Sequence, residues 1–282
     1  MSLKTIGIIG SGQMGSGIAQ VSALSGYSVI LNDIKKEYVE KGIHGIEKFL
    51  SKSVEKERLT AEDKDAAMKR IKQSSDIKDM KDADFVIEAA TENEELKFKI
   101  FQDLDSICSE DVILATNTSS IPIGRIAAKT NRPDKIIGMH FFNPVALMKL
   151  VEIIRGLTTS DDTFKTTWEL AGKVGKTPAE AGDYPGFLVN RILIPMINDA
   201  VFCLYNGVGS REDIDSTMKL GANHPMGPLA LADLIGLDTV LSIMETFYAG
   251  FGDSKFRPCP LLRRYVEAGW LGKKSKRGFY EY

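Results

Sequence analysis

Three glycines near the start of the chain stand at a spacing that could hold a phosphate group. Gly10, Gly12 and Gly15 form a G-x-G-x-x-G pattern directly after the apolar run Ile6–Ile9. In dinucleotide sites the first glycine allows a tight turn, the second lets backbone approach a pyrophosphate, and the third lets a helix pack closely on a strand. The N-terminus of that helix then faces the anion with unbonded N–H groups. A purely structural glycine-rich turn is the alternative, so the pattern needs a second observation.

An acidic residue follows at the distance that a dinucleotide site requires. The second apolar run, 27–32, ends at Asp33, eighteen residues after Gly15. A carboxylate there can accept hydrogen bonds from both ribose hydroxyls of NAD and would repel a 2′-phosphate, although Lys35 and Lys36 weaken that exclusion. An exposed Asp opening a helix is the alternative for a lone residue. Together with the strand, glycines and helix, it predicts an NAD site.

A histidine and a glutamate lie in two later apolar runs and could exchange a proton with a substrate. His140 follows the run Ile136–Met139, and Glu152 lies among the apolar residues of 150–154. A buried carboxylate without a partner is costly. Pairing explains both residues: Glu152 would hold one imidazole nitrogen and leave the other to exchange the proton. A histidine satisfied within the core is the alternative for His140, whereas His44 and His224 are typical of surface or turn positions.

Short apolar runs alternate with longer amphipathic stretches through the first two thirds of the chain, and these elements must position the side chains described above. Short runs rich in Ile and Val are separated by longer amphipathic stretches, which predicts a mostly parallel sheet with helices on both faces. The predicted strands are 4–9, 28–32, 84–89, 111–116, 135–142 and 148–154. The predicted helices are 14–26, 36–57, 61–71, 94–107, 121–128 and 161–174.

The charged segment 35–82 differs from the rest because its apolar residues recur at helical spacing. It predicts a helical hairpin that projects from the sheet, with Thr60 capping the second arm. Lys48, Lys52 and Lys56 recur every four residues and form a basic stripe on one helix face. That stripe could meet phosphate groups of a ligand, and an ordinary solvated face is the alternative.

The alternation stops near Pro185, after which only helical periodicity remains. The predicted helices of this part are 187–205, 211–219, 227–250 and 259–268. We therefore predict a Rossmann-type NAD-binding domain over 1–184 and a smaller all-α domain over 185–282 for substrate binding and dimerisation. The second domain carries much apolar surface for its size, which predicts a homodimer through its helices, and packing of that surface against the first domain is the alternative. Its apolar residues include Leu229, Leu231, Leu234, Ile235, Leu237, Val240 and Leu241.

Composition excludes several other classes of protein. A net charge of −2 gives no sign of a nucleic-acid partner or an acidic membrane surface. No run approaches the roughly 20 apolar residues of a membrane span, and the N-terminus lacks a secretory pattern. Three cysteines are too few and too scattered for a disulfide framework or a zinc site, so we expect no metal. These features predict a soluble cytoplasmic protein.

Longer motifs resemble one family over nearly the whole chain. The motifs, in order, are GSGQMGSGIA, NTSS, HFFNP, DYPGFLVNR, KLGANHPMGP, DLIGLD and the terminal GFYEY. They are similar to the short-chain (L)-3-hydroxyacyl-CoA dehydrogenases, and among these to the bacterial enzymes that act on 3-hydroxybutyryl-CoA. The resemblance implies NAD-dependent, reversible interconversion of 3-hydroxybutyryl-CoA and acetoacetyl-CoA in short-chain fatty-acid and butyrate metabolism. One departure is Lys276, where the family often has glycine.

The resemblance also implies the residues of the site. The catalytic set is His140, Glu152, Ser119 and Asn190, of which Ser119, His140 and Asn190 also contact substrate. Lys52 and Lys56 are candidates for the phosphates of CoA because of the basic stripe and not because of the resemblance, since the hairpin matches the family poorly. The cofactor set is Gly10, Gly12, Gln13, Met14, Gly15, Asp33, Glu92, Lys97, Asn117, Ser119, Asn143 and Lys274. For Glu92 and Lys97, surface charge at the start of a helix is the alternative. Two other functions stay open: a β-hydroxyacid dehydrogenase acting on a free acid, and a non-enzymatic cofactor-binding structural or sensor protein.

Overall fold

One eight-stranded sheet organises the first part of the chain. The structure is a computed structural model that describes residues 3–282 and divides into two compact units, Met1–Tyr184 and Pro185–Tyr282. The strands are β1 Thr5–Ile9, β2 Ser28–Asn32, β3 Ile71–Ser74, β4 Phe85–Glu88, β5 Ile113–Thr116, β6 Ile136–Phe141, β7 Leu150–Arg155 and β8 Thr177–Gly182. The α-helices of this unit are α1 Gln13–Leu24, α2 Lys36–Glu55, α3 Ala61–Lys69, α4 Glu94–Ile107, α5 Ile123–Ala127 and α6 Asp161–Lys173.

The strand order places the ends of β1, β2, β4 and β5 along one edge of the sheet. The order is β3-β2-β1-β4-β5-β6-β7-β8, and all neighbours run parallel except β6 and β7, which run antiparallel. In such open sheets ligands bind outside the carboxyl ends of the strands. The predicted fold class, a mostly parallel Rossmann-like sheet followed by a helical part, is confirmed.

The core of the first unit forms where α1, α2 and α6 pack on the apolar strands. Ile6 and Ile8 of β1 and Leu31 of β2 are fully buried, and α1 adds Ile18 and Ala19 from one face. Burying side chains of this kind contributes roughly 1.5–3 kcal/mol each relative to exposure. This packing fixes the position of α1, and hence of the glycine loop that precedes it.

The prediction of a helix over 61–71 is wrong at its end. Helix α3 ends at Lys69, and Ile71–Ser74 forms the edge strand β3, in which Ile71 pairs with Val29 of β2. The sequence IKQS shows no period-2 alternation of apolar residues, so nothing in it indicates a strand. The helical hairpin therefore occupies only the first part of 35–82. The predicted cap of its second arm is confirmed, because the N–H of Asp63 donates to Thr60 Oγ1 at 3.0 Å.

Strand β8 was not predicted at all. Its sequence TPAEAG contains no Ile, Val or aromatic residue, and Pro178 is unfavourable in a central strand. At the edge of a sheet a proline is tolerated because one row of N–H groups has no strand to bond. Residues 177–182 form a strand because they pair with β7, from Leu150↔Thr177 to Arg155↔Gly182, and not because of their local propensity.

The second unit consists of helices around its own apolar core. Its α-helices are α7 Val189–Tyr205, α8 Arg211–Gly221, α9 Pro228–Ile235, α10 Leu237–Phe251 and α11 Pro260–Glu267. The predicted single helix over 227–250 is wrong, because Gly236 takes a φ of +103° and separates α9 from α10. Leu229, Leu237 and Val240 lie in the core of this unit, whereas Leu234 is about half exposed at 51%. Among residues 3–282, no helix has both the length and the apolar character needed to cross a membrane.

Candidate active site

The three glycines of the loop after β1 differ in what the chain itself demands of them. Gly10 has a φ of +96°, and a Cβ there would lie 2.6 Å from the carbonyl oxygen of Ala89. A Cβ on Gly15 would lie 1.8 Å from the carbonyl oxygen of Gly10, so the helix could not approach the strand. A Cβ on Gly12 would meet nothing within 4 Å. No contact within the chain excludes a side chain at Gly12, and an outside group that approaches the backbone would explain it.

The N-terminus of α1 is suited to hold an anion. Gly12 is the N-cap and supplies no capping side chain, and the first turn contains no acidic residue. The first intrahelical bond of this turn is donated by the N–H of Ser16, to the carbonyl of Gly12 at 2.9 Å. The N–H groups of Gln13 and Met14 therefore lie at the positive end of the helix dipole, where a diphosphate is favoured.

Asp33 lies directly after β2 and is bonded to the glycine loop. Its Oδ2 accepts hydrogen bonds from the N–H and from the Oγ of Ser11, both at 2.8 Å, and its Oδ1 accepts from the N–H of Ile34 at 2.8 Å. The carboxylate is half-buried at the edge of the loop. The residues present at Gly10–Gly15 and Asp33 thus fit the diphosphate and ribose of a dinucleotide.

His140 and Glu152 lie opposite each other on the antiparallel strands β6 and β7. Residues opposite one another share a face of the sheet, and the His140 Nδ1 lies 2.8 Å from Glu152 Oε2. His140 is 7% exposed and Glu152 is fully buried. An ionised carboxylate only accepts hydrogen bonds, so with Glu152 ionised the hydrogen of this contact lies on Nδ1 of His140. The ring of Phe142 packs against the imidazole at a centroid distance of 4.7 Å.

Glu92 holds the loop that carries Ser119, which follows β5. Its Oε1 accepts from the hydroxyls of Thr118 at 2.6 Å and Ser120 at 2.8 Å and from the N–H of Ser119 at 2.9 Å. The Ser119 hydroxyl lies 3.3 Å from the same oxygen. Burial acts to raise the pKa of Glu92, but the Lys97 charge and the hydrogen bonds outweigh it, so the pKa lies below its ordinary value.

Lys97 and Glu88 form a fully enclosed ion pair below this loop. Lys97 is 1% exposed, so the interpretation of it as surface charge is wrong, and its Nζ lies 2.6 Å from Glu88 Oε1. Glu88 also accepts from the Thr116 hydroxyl and from the N–H of Ala90, both at 2.7 Å. The Lys97 ammonium reaches Glu92 Oε2 at 3.5 Å. Sequence reasoning missed Glu88, although a carboxylate ending the apolar run FVIE nine residues before a lysine indicates such a pair.

Asn117 and Asn143 occupy the ends of neighbouring strands. Asn117 Oδ1 accepts from the N–H of Phe141 at 2.8 Å, which joins the end of β5 to the end of β6. Asn143 is exposed in the loop after β6 and precedes Pro144 through a cis peptide bond. It lines a cavity of about 300 Å³. The other lining residues are Gly12, Gln13, Ser16, Gly17, Gln20, Lys41, Gly42, Gly45, Ile46, Phe49, Pro144, Val145 and Ala146.

Lys52 and Lys56, the candidates for CoA, are exposed at the far end of α2. Lys52 lies in its last turn, and Lys56 follows directly. Neither lines the cavity, to which α2 contributes Lys41 and Phe49 among others.

Asn190 and Lys274 belong to the second unit. Asn190 is the second residue of α7 and is half-buried. The Lys274 ammonium forms an ion pair with Asp238, at 2.5 Å from Oδ1. Lys276 has a φ of +61°, in the left-handed region that favours glycine, which explains physically why glycine is frequent there in the resembled family.

Comparison with known proteins places both units of the chain in one family. Residues 5–184 match the family described as 3-hydroxyacyl-CoA dehydrogenase, NAD binding domain, and residues 186–282 match its C-terminal domain. The chain belongs to the 3-hydroxyacyl-CoA dehydrogenase family. This membership supports the prediction drawn from the motifs and not the two alternatives, and it makes NAD the cofactor.

Individual members of this family cover the chain from end to end. The 3-hydroxybutyryl-CoA dehydrogenase of Bradyrhizobium diazoefficiens is 54% identical over 99% of this chain and 96% of its own. The probable 3-hydroxybutyryl-CoA dehydrogenase of Bacillus subtilis is 55% identical over 100% of this chain and 98% of its own. The crystal structure of (S)-3-hydroxybutyryl-CoA dehydrogenase from Ralstonia eutropha has a TM-score of 0.98 at 53% identity, covering 100% of this chain and 99% of that chain.

Proposed function

We propose that this chain interconverts 3-hydroxybutyryl-CoA and acetoacetyl-CoA with NAD as the redox partner. The observation that carries the proposal is the His140–Glu152 contact of 2.8 Å, on the same sheet as a glycine loop suited to a dinucleotide. The relatives that share more than half of its residues are named for this reaction.

His140 is the proposed general acid and base of the reaction. When the 3-keto group is reduced, its imidazolium gives a proton to the carbonyl oxygen, and in the reverse direction the neutral ring takes the hydroxyl proton. Glu152 is proposed to fix the tautomer and the orientation of the ring and to stabilise its cationic form. Ser119 and Asn190 are proposed to contact the reacting region and polarise the carbonyl oxygen.

The cofactor is proposed to lie against the glycine loop, with its diphosphate at the N–H groups of Gln13 and Met14. The nicotinamide supplies or accepts the hydride when it is bound. Asp33 would accept hydrogen bonds from the adenosine ribose and repel a 2′-phosphate. The further proposed contacts are Glu92, Lys97, Asn117, Ser119, Asn143 and Lys274. For the CoA phosphates we retain Lys52 and Lys56, supported by their exposure and charge.

A homodimer through the second unit is part of the proposal. Large apolar side chains stay exposed there, among them Leu220 at 87%, Val208 at 74% and Ile192 at 69%. Covering them against a second copy would remove apolar surface from water. Sedimentation at micromolar concentration is expected to show a species of twice the chain mass, and a 31.0 kDa species alone would contradict it. We also keep the cytoplasm as the proposed location and butyrate metabolism as the proposed context.

One assay separates the proposed function from its alternatives. NADH oxidation is measured with acetoacetyl-CoA, with free acetoacetate, and with no acceptor, and each arm is repeated with NADPH. We expect fast oxidation only with acetoacetyl-CoA and a higher kcat/KM for NADH than for NADPH. Equal rates with free acetoacetate would instead favour a free-acid dehydrogenase. No oxidation with either acceptor, while NADH still binds, would favour a non-enzymatic role.

A further inference from the structure

A buried lysine lies outside every role described so far. Lys176 directly precedes β8 and is only 8% exposed. Its ammonium group donates to two backbone carbonyls, that of Val145 and, at 2.9 Å, that of Met148. Burial lowers the pKa of Lys176. An ammonium group held in this way is costly to bury, so the position calls for an explanation beyond the filling of space.

Both carbonyls belong to the loop that joins β6 to β7, which we call the 142–149 loop. The loop turns upon itself, because the N–H groups of Leu147 and Met148 both donate to the carbonyl of Pro144, at 2.9 and 3.0 Å. Leu147 is 59% exposed and Met148 is 42% exposed, so the tip of the loop has little packing of its own. Lys176 therefore supplies two of the bonds that anchor it.

The same loop forms one wall of the cavity beside the glycine loop. Val145 is 3% exposed and packs against α1 so closely that a Cβ on Gly17 would lie 2.8 Å from the Val145 Cβ. Asn143, Pro144, Val145 and Ala146 line the cavity on this side, and Gly12 and Gln13 line it on the other. The carbonyl that Lys176 holds thus belongs to a residue of the wall itself.

We propose that Lys176 is a positioning residue that fixes the 142–149 loop as a wall of the ligand cleft. Its two hydrogen bonds set the loop at a defined distance from the N-terminus of α1. The proposal rests on the proposed function, since it assumes that the cleft takes the cofactor or the acyl-CoA. The proposal assigns Lys176 to ligand binding and not to proton transfer. The backbone pairing of β6 with β7 holds His140 and Glu152 in place, so these two residues do not depend on the loop that Lys176 anchors.

The substitution Lys176→Met tests this assignment, because methionine has a similar length and no charge. The variant no longer buries an ammonium group but leaves the carbonyls of Val145 and Met148 without their donor, so its thermal stability is expected to fall modestly while the chain stays folded. The loop loses its anchor, so KM for NADH or for acetoacetyl-CoA is expected to rise about tenfold, with kcat within about twofold. Lys173→Met, at the exposed end of α6, is the matched control and is expected to leave both constants unchanged.

Hydrogen exchange supplies a readout that does not depend on activity. Peptides that cover 142–149 are expected to exchange faster in Lys176→Met, while those of β6 and β7 stay protected as in the wild type. Unchanged KM values for both reactants, or unchanged exchange in the loop, would overturn the proposal. So would a loss of kcat at constant KM. A wild type that does not oxidise NADH with acetoacetyl-CoA would instead refute the proposed function, and the exchange measurement would still decide the role of Lys176.

Discussion

Buried carboxylates have different partners in the two units of the molecule. In the first unit, which we call the sheet unit, Glu152 contacts the imidazole of His140 and Glu88 contacts the ammonium of Lys97. In the second unit, which we call the helical unit, the buried acids Asp215 and Asp233 accept hydrogen bonds chiefly from backbone N–H groups. Because an imidazole can change its charge and a backbone N–H cannot, the comparison separates a region suited to chemistry from one built to hold the chain in place.

The helical unit uses two such acids to fix its last residues. Asp233 is 1% exposed and accepts from the N–H groups of Phe279 and Tyr280, both at 2.9 Å. Asp215 is 5% exposed and accepts from the Tyr280 hydroxyl at 2.9 Å. Burial, together with the charge of Asp233 and the hydrogen bond to it, raises the pKa of Tyr282 to about 12. These hydrogen bonds attach the terminal GFYEY motif to the helical unit, and we call them the C-terminal clamp.

The largest effect is expected on kcat, from substitutions of the His140–Glu152 pair in the sheet unit. His140→Ala removes the proton carrier, and Glu152→Gln offers an amide donor that favours the wrong tautomer, so each is expected to lower kcat by roughly 10²–10⁴. Since both disable one step, the double variant is expected to lose far less than the product of the single losses. Steady-state kinetics with acetoacetyl-CoA measures all three.

His44→Ala, at an exposed position of α2, is the control for the loss of a histidine. NADH titration checks that the glycine loop survives each substitution. Multiplicative losses with intact NADH binding would show that the two residues act independently, and the pair would lose its status as a unit.

The next effect is expected on stability, in the helical unit. Asp233→Asn places an amide hydrogen beside the N–H groups of Phe279 and Tyr280, so at least one of these groups loses its acceptor. We expect a loss of about 2–4 kcal/mol in the free energy of unfolding, measured by urea denaturation. Asp199→Asn on the exposed face of α7 is the control, with an expected change within about 0.5 kcal/mol. A small loss for Asp233→Asn would mean that the clamp does not stabilise the unit.

Glu92 shares features of both regions, so its substitution sharpens the comparison. It faces the sheet edge yet accepts from the N–H groups of Ser119 and Ser120. Its pKa is lower in the folded chain than when unfolded. The unfolded chain therefore takes up the proton first as pH falls, so the stabilisation is complete above the ordinary glutamate pKa of about 4.3 and is lost below it.

Glu92→Gln is accordingly expected to unfold more easily near about pH 7, by less than about 1 kcal/mol because the side chain is partly exposed. That difference is expected to shrink toward about pH 3.5. Urea denaturation at several pH values measures it, with the exposed Glu110→Gln as control. A difference that grows on acidification would contradict the sign of the pKa shift.

The smallest effect is expected at Lys276 in the helical unit. Its left-handed φ of +61° disfavours a side chain, so Lys276→Gly is expected to stabilise the chain by about 0.5–1 kcal/mol. Lys273→Gly, at a neighbouring residue without positive φ, is expected to destabilise it. Thermal unfolding compares the two. A loss of stability in both would mean that the Lys276 side chain contributes contacts that outweigh its backbone strain.

Strong local patterns made much of the fold predictable, and weak ones did not. The strand and glycines up to Gly15 combine a continuous apolar run with turn chemistry, so local and tertiary preferences agree there. Strands β3 and β8 lack that agreement, because IKQS and TPAEAG become strands only by pairing with β2 and β7. A single glycine is tolerated within a helical pattern, so the sequence of 227–250 does not indicate the break that Gly236 makes with its φ of +103°.

The candidate site divides in the same way. His140 and Glu152 were predictable as partners because a buried acid needs one. Glu88 ends the apolar run FVIE, which indicates a buried acid in need of a partner, but its partner Lys97 resembles an ordinary helix residue until its burial is known. The bonds from Lys176 to the 142–149 loop join positions far apart in the chain, and no sequence periodicity encodes contacts of that kind.

The antiparallel pairing of β6 with β7 also determines where this protein can change in length. A parallel pair needs a crossover of a dozen or more residues, whereas these two strands are joined by the short 142–149 loop. One residue inserted within either strand, between the loop and His140 or Glu152, would turn that side chain to the opposite face. Insertions at the exposed tip near Leu147 leave the register untouched. The register of His140 and Glu152 therefore does not depend on the length of the tip, whereas the two strands must keep their residue count.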